Sequence, residues 1–293
     1  MTNNKATTLT FKKWQVGDVT VTRVLEMDPL TIAPEWLLKT DVETVKKHAW
    51  LKPNFATEEG QIIVNIQAFI IEAGGLKIMV DPCIGNDKPR ESPLFAMHKG
   101  PFLEHLTQAG FPPESIDIVL CTHLHVDHVG WSTRLVEGKW VPTFPNARYL
   151  FARVEYENAK VDKGPEAEAT YLDSIKPVVD AGLVTLVEFD HHINDEVWID
   201  STPGHTAGHC CIHISSKGQE ALITGDMMHH PVQICEPDVC STFCADQDQA
   251  RRTRKSFLGK YSGTSAVVLG THFAEPTGVR VTPHGDVWRV EEA

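Results

Sequence analysis

Three imidazoles and a carboxylate fall within six residues in the stretch Thr122-His123-Leu124-His125-Val126-Asp127-His128-Val129-Gly130. Imidazole nitrogen suits zinc, iron or manganese, and a carboxylate adds an oxygen ligand and negative charge. On an extended segment, residues two apart point to the same side, so His123, His125 and Asp127 can converge, with His128 following where the chain turns. Histidines also occur as satisfied core or surface residues. Four ligand-type side chains this close favour a metal site.

Such a cluster needs a rigid element to deliver it, and the apolar run at 116–121 reads as a buried strand. The pattern recurs. Leu222-Ile223-Thr224-Gly225 leads into Asp226, and Val267-Val268-Leu269-Gly270 leads into Thr271 and His272. Between them, Thr202-Pro203-Gly204-His205-Thr206-Ala207-Gly208-His209 combines turn-forming Pro and Gly with two more imidazoles. Strand ends are where scaffolds usually place chemistry.

The remaining elements are read in chain order. Residues 11–26 carry an alternating, β-branched strand signal. Residues 27–60 are broken by Pro29, Pro34 and Pro53, with one short helix expected at 41–50 capped by Asp41. Trp36, Leu37, Leu38 and Trp50 make this excursion too apolar for a free loop, so it is expected to cap a pocket or contact a second subunit. Strands at 62–72 and 76–81 meet at Gly74-Gly75, a hairpin signal. Asp81, at the end of the second, either orients a site residue or caps a turn. A helix is expected at 101–109, a loop at 141–146 and a strand at 148–151. Helices at 154–160 and 167–181 follow, then strands at 183–188, 196–200, 210–215 and 220–225. A helix at 247–260 precedes the strand at 265–270, and strands at 279–281 and 286–290 close the chain. No repeat, low-complexity segment or linker divides the chain, so residues 1–293 are expected to form one domain.

Composition excludes several classes. The 293 residues carry a formal charge of −12, which argues against nucleic acid or an anionic membrane as partner. Arg251-Arg252-Thr253-Arg254-Lys255 is the one dense cationic run, and it reads as the solvated face of a helix. No segment approaches the roughly 18 apolar residues of a membrane span. The polar start, Met1 to Lys5, lacks a secretory signal's apolar region, so a cytoplasmic location is expected unless a leader has been removed. Seven cysteines at irregular spacing do not resemble a disulfide framework. Cys235, Cys240 and Cys244 lack a paired C-x-x-C pattern and read as buried thiols near a loop.

Five separated motifs in order, from Asp81 to His272, resemble those of the metallo-β-lactamase superfamily: Asp81, His123-x-His125-x-Asp127-His128, Pro203-Gly204-His205-Thr206-x-Gly208-His209, Gly225-Asp226 and Gly270-Thr271-His272. The resemblance implies an α/β fold, a four-layered αβ/βα sandwich of two mixed sheets with a dinuclear metal site at one edge. It implies one metal on His123, His125 and His209, a second on Asp127, His128 and His272, and Asp226 bridging them. His205 is then expected to orient a neighbour rather than ligate. Two divalent ions are implied, zinc first, with manganese, cobalt and iron as alternatives. A hydroxide held between two such ions is a nucleophile at neutral pH, because the cations lower water's pKa towards about 7. Asp127 is placed to shuttle a proton to the leaving group.

A hydrolase of a small ester or lactone follows, closest to the acyl-homoserine lactonase and methyl parathion hydrolase-like branch. Three residues past the bridging aspartate the lactonases place a tyrosine; here the position is His229, similar to the parathion hydrolases, and it is expected to donate to a developing oxyanion. Phosphotriester hydrolysis is the alternative, and an iron-dependent redox protein on the same cage a more distant one. His125 stands where the oxygen-reducing flavodiiron proteins carry Glu. Gly130 is followed by Trp131 where many members have a second glycine, so Trp131 is either a pocket wall or a core residue. Phe95, Met97, Met227 and Trp36 are further candidate walls. His191, His192 and His230 are expected at the surface, and a homodimer is expected from the 27–60 excursion.

Overall fold

A computed structural model describes residues 11–293, so the polar Met1 to Lys5 stretch lies outside the described residues. Seven strands make the first sheet, in the spatial order Lys12–Val16, Val19–Leu25, Gln67–Ala73, Leu76–Val80, Ile118–Leu120, Arg148–Ala152 and Val184–Val187. Six make the second: Val197–Ser201, Cys210–Ser216, Gln219–Ile223, Val267–Leu269, Gly278–His284 and Val287–Glu292. Both are mixed. Leu76–Val80 pairs parallel with Ile118–Leu120, and Gln219–Ile223 parallel with Val267–Leu269, while the outer hairpins are antiparallel.

Strand alternation explains how two sheets and two helical layers stack. Phe69, Ile71, Ile78, Val80, Leu120 and Leu150 face Ile199, Ile212, Ile214, Ala221, Ile223 and Leu269 in a core between the sheets. Their chain neighbours Ile70, Met79, Val119 and Tyr149 point the other way, onto Phe102, Leu106, Ile175 and Val178 of the outer helices. On the far side, Leu222, Val268 and Val279 pack on Phe257, Leu258 and Tyr261 of the helix Gln247–Tyr261. A strand buried on both faces reads as a continuous apolar run, which is why these segments were visible in the sequence. Each such side chain contributes about 1.5–3 kcal/mol by leaving water. The result is a helix–sheet–sheet–helix sandwich, as the resemblance implied.

Several local expectations are corrected. Residues 11–26 form a hairpin, not one strand, turning at 17–18. The helix expected at 41–50 spans only Val42–Lys46, with Asp41 capping it by accepting from the Thr44 N–H at 2.8 Å, and a further short helix, Pro34–Leu37, precedes it. The loop at 141–146 begins as a strand, Lys139–Pro142, paired with Thr133–Val136. The helix at 167–181 is interrupted by a π turn, Tyr171–Ile175. Pro177 explains it: a proline clashes with the carbonyl four residues earlier and offers no N–H to it. That carbonyl, on Asp173, instead accepts from the Thr133 hydroxyl at 2.5 Å and from Lys88 Nζ at 3.4 Å. Arg254 is buried rather than solvated, donating to the carbonyls of Met227, Pro237 and Val239. Among the described residues, no helix is long and apolar enough to cross a membrane.

Candidate metal centre

Five strands end at one edge of the sandwich, and each delivers a polar residue there. Val80 is followed by Asp81, Leu120 by Thr122 and His123, Ser201 by His205, Ile223 by Asp226, and Leu269 by His272. Two groups of ligand-type atoms result. His123, His125, His205 and Asp226 form one; Asp127, His128 and His272 form the other, and within each group the atoms lie within 4.8 Å of one another.

Asp226 faces both. Its Oδ2 is 3.7 Å from His123 Nε2 and 3.3 Å from His205 Nε2; its Oδ1 is 3.3 Å from His128 Nε2 and 3.1 Å from His272 Nε2. Asp127 closes the second group, 3.7 Å from His128 Nε2 and 3.6 Å from His272 Nε2. Bonds of about 2.0–2.1 Å around a tetrahedral zinc put neighbouring ligand atoms about 3.3 Å apart, so these separations match a metal cage.

The rings are held so that the inward nitrogen is the free one. His128 Nδ1 donates to Asp81 Oδ2 at 2.9 Å, and His272 Nδ1 to the Asn65 carbonyl at 2.8 Å. Asp81 also accepts from the Thr122 N–H and hydroxyl, tying the histidine loop to the neighbouring strand. It therefore orients the site, and needs a left-handed backbone (φ 54°) to do so. A carboxylate or carbonyl behind a ligating imidazole fixes its tautomer and raises its basicity.

Electrostatics agree with a cation-binding role. Burial holds His123 and His205 well below the ordinary imidazole range, so both offer lone pairs. Burial acts on His128 too, but the carboxylates of Asp226, Asp127 and Asp81 outweigh it and push the ring well above that range. Positive charge is drawn to this point. His123 Nε2 and Asp226 Oδ1 are buried without a hydrogen-bond partner, which is costly for a polar atom unless a cation completes it. The residues present fit a two-metal centre.

One ligand expectation changes. His209 is not in either group: its Nε2 accepts the Asp226 backbone N–H at 2.9 Å and its Nδ1 donates to the Thr202 carbonyl at 3.0 Å. His205 takes the expected place, its Nε2 2.9 Å from His125 Nδ1. Gly225 makes the swap workable; it has φ +51°, and a Cβ there would sit 2.6 Å from His209 Nε2.

Other expectations sort cleanly. His229 lies in the site, 3.0 Å from Asp226 Oδ2, with its Nδ1 buried and unpartnered. His230 is corrected from the surface to the interior, donating to the Phe55 carbonyl at 2.8 Å. His192 is exposed and stacks on Trp198, and His191 is half-buried. Trp131 is core, stacked on Phe102, and does not line the cleft; nor do Met97, which is exposed, and Met227, which is buried. Phe95 and Trp36 do line it.

Two buried carboxylates were missed. Glu155 accepts from the Leu124 and Gly208 N–H groups and the Thr206 hydroxyl, bridging the two histidine loops. Glu26 accepts from the Ile84 and Gly85 N–H groups and from Trp131 Nε1 at 2.6 Å. It thereby joins the loop after Asp81 to the turn after His128. Gly130 permits that junction, since a Cβ there would lie 1.6 Å from the Ile84 carbonyl. In sequence, each has only a single carboxylate near it, Asp28 and Glu157, and no imidazole, so no ligand cluster marked them.

Burial pushes the Glu26 carboxyl from 4.5 up to about 7, against its three donors. Folding therefore takes up a proton. This contribution is full below about 4.5 and is lost as pH rises through 7, on the order of 3 kcal/mol at 1.36 kcal/mol per unit. Glu26→Gln, which cannot titrate, is expected to flatten the denaturation free energy of the metal-free protein between those pH values relative to wild type. Parallel curves would contradict the assignment.

Above the cage opens a cleft of about 750 Å³. Leu30, Trp36, Leu37, Ile66, Phe95 and Phe243 form its apolar walls, and His125, Asp127, His205, Asp226, His229 and His272 line it as well. Glu91, Glu155, Asp162 and Glu166 line it too, and among the described residues no Lys or Arg does. The 27–60 excursion supplies Leu30, Trp36 and Leu37, and so packs over this cleft. Trp36 meets Phe243 edge-on at 5.7 Å.

Residues 63–287 match the sequence pattern of the Metallo-beta-lactamase superfamily. A hydroxyacylglutathione hydrolase of Mesorhizobium japonicum is 30% identical over 160 residues, 53% of this chain and 49% of its own length. An N-acyl homoserine lactonase of a Bacillus species is 29% identical over 122 residues, 41% of this chain and 42% of its own. The chain thus spans half or less of the curated relatives it matches. AidC, a dizinc quorum-quenching lactonase solved with the product N-hexanoyl-L-homoserine, superposes with TM-score 0.79 at 21% identity, covering 97% of this chain and 98% of its own. The hydrolase AbOPH superposes equally well, at 24% identity and 97% coverage of both. At these identities the superpositions speak for the fold alone. The fold, the order of its site residues and the match over 63–287 lead to one family: the chain belongs to the metallo-beta-lactamase superfamily.

Proposed function

We propose that this chain is a dinuclear metal-dependent hydrolase that opens a lactone or cleaves a neutral carboxylic ester. The observation carrying the reading is Asp226, whose two oxygens each face a separate ligand group. In it, His123, His125 and His205 would hold one ion and Asp127, His128 and His272 the other, with Asp226 serving both, zinc being first choice from the imidazole-rich set. The reading takes residues 1–293 as one domain. Two bound cations supply an activated water at neutral pH and polarise the electrophile.

The chain's own residues do the rest. The walls of Trp36, Phe95 and Phe243 exclude water and bind an apolar acyl part. Asp127, the more open carboxylate of the cage at 16% side-chain exposure, is placed to pass a proton to the leaving oxygen. His229 lies where it can donate to the oxyanion. His229→Ala is expected to lower kcat by about 10²-fold while both metals remain, as for a lost oxyanion donor. Loss of metal in that variant would place His229 in the cage instead.

The absence of Lys and Arg among the lining residues favours an uncharged substrate over a glutathione thioester or a nucleic acid. It favours an uncharged phosphotriester equally, and that is the second reading. The metal-reconstituted protein, assayed on short- and long-chain γ- and δ-lactones, aryl esters, a phosphotriester, a glutathione thioester and a cephalosporin, separates them. Lactone or aryl ester turnover leading the panel is the expected result. A dominant thioester or cephalosporin rate would overturn it.

A further inference from the structure

Residues 86–100 form neither helix nor strand, yet they supply one wall of the cleft. The segment closes on itself at its base. The Asp87 N–H donates to the His98 carbonyl at 3.0 Å, the Met97 N–H to the Lys88 carbonyl at 2.8 Å, and the Asn86 amide bonds Gly100 in both directions at 2.9 Å. Loops closed in this way are packed by their own side chains and often carry function. The tip, 89–96, places Glu91, Ser92, Pro93 and Phe95 along the cleft. Among the described residues, one backbone hydrogen bond ties that tip to the body, from the Glu91 N–H to Glu166 Oε2 at 2.6 Å.

Two buried cations do the holding instead. Lys88 and Arg90 are buried on either side of the exposed Pro89, and both reach Asp173. Arg90 grips it with two bonds, Nη1 to Oδ2 at 2.6 Å and Nη2 to Oδ1 at 2.9 Å. Lys88 Nζ stands 3.4 Å from Asp173 Oδ1 and 2.8 Å from the Thr133 hydroxyl, and 3.9 Å from the centre of the Trp140 ring. Asp173 lies on the π turn between Thr170 and Ile175, which line the cleft from the helical side. Arg90 therefore precedes one set of lining residues and Asp173 interrupts the other. Among the described residues, none of the three lines the cleft or pairs with a proposed metal ligand.

We propose that Lys88, Arg90 and Asp173 are positioning residues that set specificity: their buried cluster fixes the loop tip as a rigid wall for an extended apolar acyl chain. A guanidinium bonded twice to one carboxylate fixes distance and plane together. Opening it leaves charge uncompensated in the interior, so the closed geometry has no cheap alternative. A wall already in place binds an apolar chain without the cost of ordering a loop at each encounter. A short acyl group bound at the cage has little surface to lay on this wall, and a long one has more. The inference rests on the hydrolase reading for the bond that is cut, but not for the wall.

The test uses the full chain and Arg90→Lys, which keeps the charge and loses the two-pronged grip. Asp173→Asn is harsher, because it strands two buried cations, so Arg90→Lys carries the comparison. Hydrogen exchange of the 89–97 peptide is expected to quicken at least about tenfold. Calorimetry should show 1-decanol bound about tenfold more weakly, the scale of one methylene's contact with an apolar pocket. KM for p-nitrophenyl decanoate should rise to match, while its kcat, the turnover of p-nitrophenyl acetate and the metal content stay as in wild type. Phe95→Ala trims the wall directly. Combined with Arg90→Lys, it is expected to weaken decanol binding by less than the product of the two single effects, since the cluster acts through that wall. Unchanged decanol affinity, unchanged exchange at the tip, equal losses on both esters, or a double variant at the full product would each overturn the proposal. If wild type cleaves neither ester nor any lactone, the hydrolase reading falls, and decanol binding with exchange still decides the role of the cluster.

Discussion

Asp226→Asn is expected to abolish turnover, by at least about 10³-fold, and to weaken both metals by more than about 100-fold, since disturbing even the partners behind a ligand costs 10–100-fold. Its carboxylate reaches both ligand groups, one oxygen towards each. Its two oxygens lie 3.0 to 3.7 Å from five imidazole nitrogens, those of His123, His128, His205, His229 and His272. An amide offers one oxygen and a pair of N–H donors, so one ion would face a donor instead of a ligand. The negative charge disappears as well, and with it the pull that keeps His128 and His272 above their ordinary range. The shape is conserved, so the sandwich core is untouched and the far-ultraviolet circular dichroism should match wild type. Metal content after dialysis and turnover of the reconstituted variant check the prediction together. Two retained ions with full activity would remove Asp226 from the centre.

His205→Ala and His209→Ala are expected to separate by metal content. The first removes the third imidazole of one group, so that variant should carry one ion fewer per chain and lose turnover by about 10²-fold or more. The second removes the acceptor for the Asp226 N–H and leaves that donor buried, costing about 1–3 kcal/mol of stability while both ions stay. The two rings come from one loop, so a general loss of folding would strike both variants alike. Equal loss of metal in both, measured by elemental analysis beside a thermal melt, would contradict the assignment of His205.

The sequence made the scaffold legible because its strands are buried on both faces and its ligand residues stand directly after them. Val119, Leu222 and Val268 belong to runs too short for helices and too apolar for loops, and each run ends a few residues before a ligand. The choice between His205 and His209 was not legible. Both follow the same strand and both are flanked by glycine; the resemblance implied His209, whereas the structure groups His205 with His123 and His125. What separates them lies in three dimensions: Gly204 with φ +133° packs onto Ala250, and Gly208 packs onto Glu155. His229 and His230 teach the same point at closer range. Adjacent residues point to opposite sides, so one reaches Asp226 and the other the Phe55 carbonyl 175 residues away. Trp131 followed a glycine at the site's edge, yet its partner Glu26 is 105 residues distant and gave no local sign. Long-range pairing of a buried polar atom cannot be read from periodicity.

In the proposed centre one chain would hold two cations through His123, His125, His205, Asp127, His128, His272 and a shared Asp226. Titrating metal-free protein with zinc while following both heat of binding and lactone hydrolysis tests it most directly. Two equivalents bound per chain, with hydrolysis rising until the second is in place, is the result predicted. Saturation at one equivalent, or hydrolysis that persists in the metal-free chain, would contradict it.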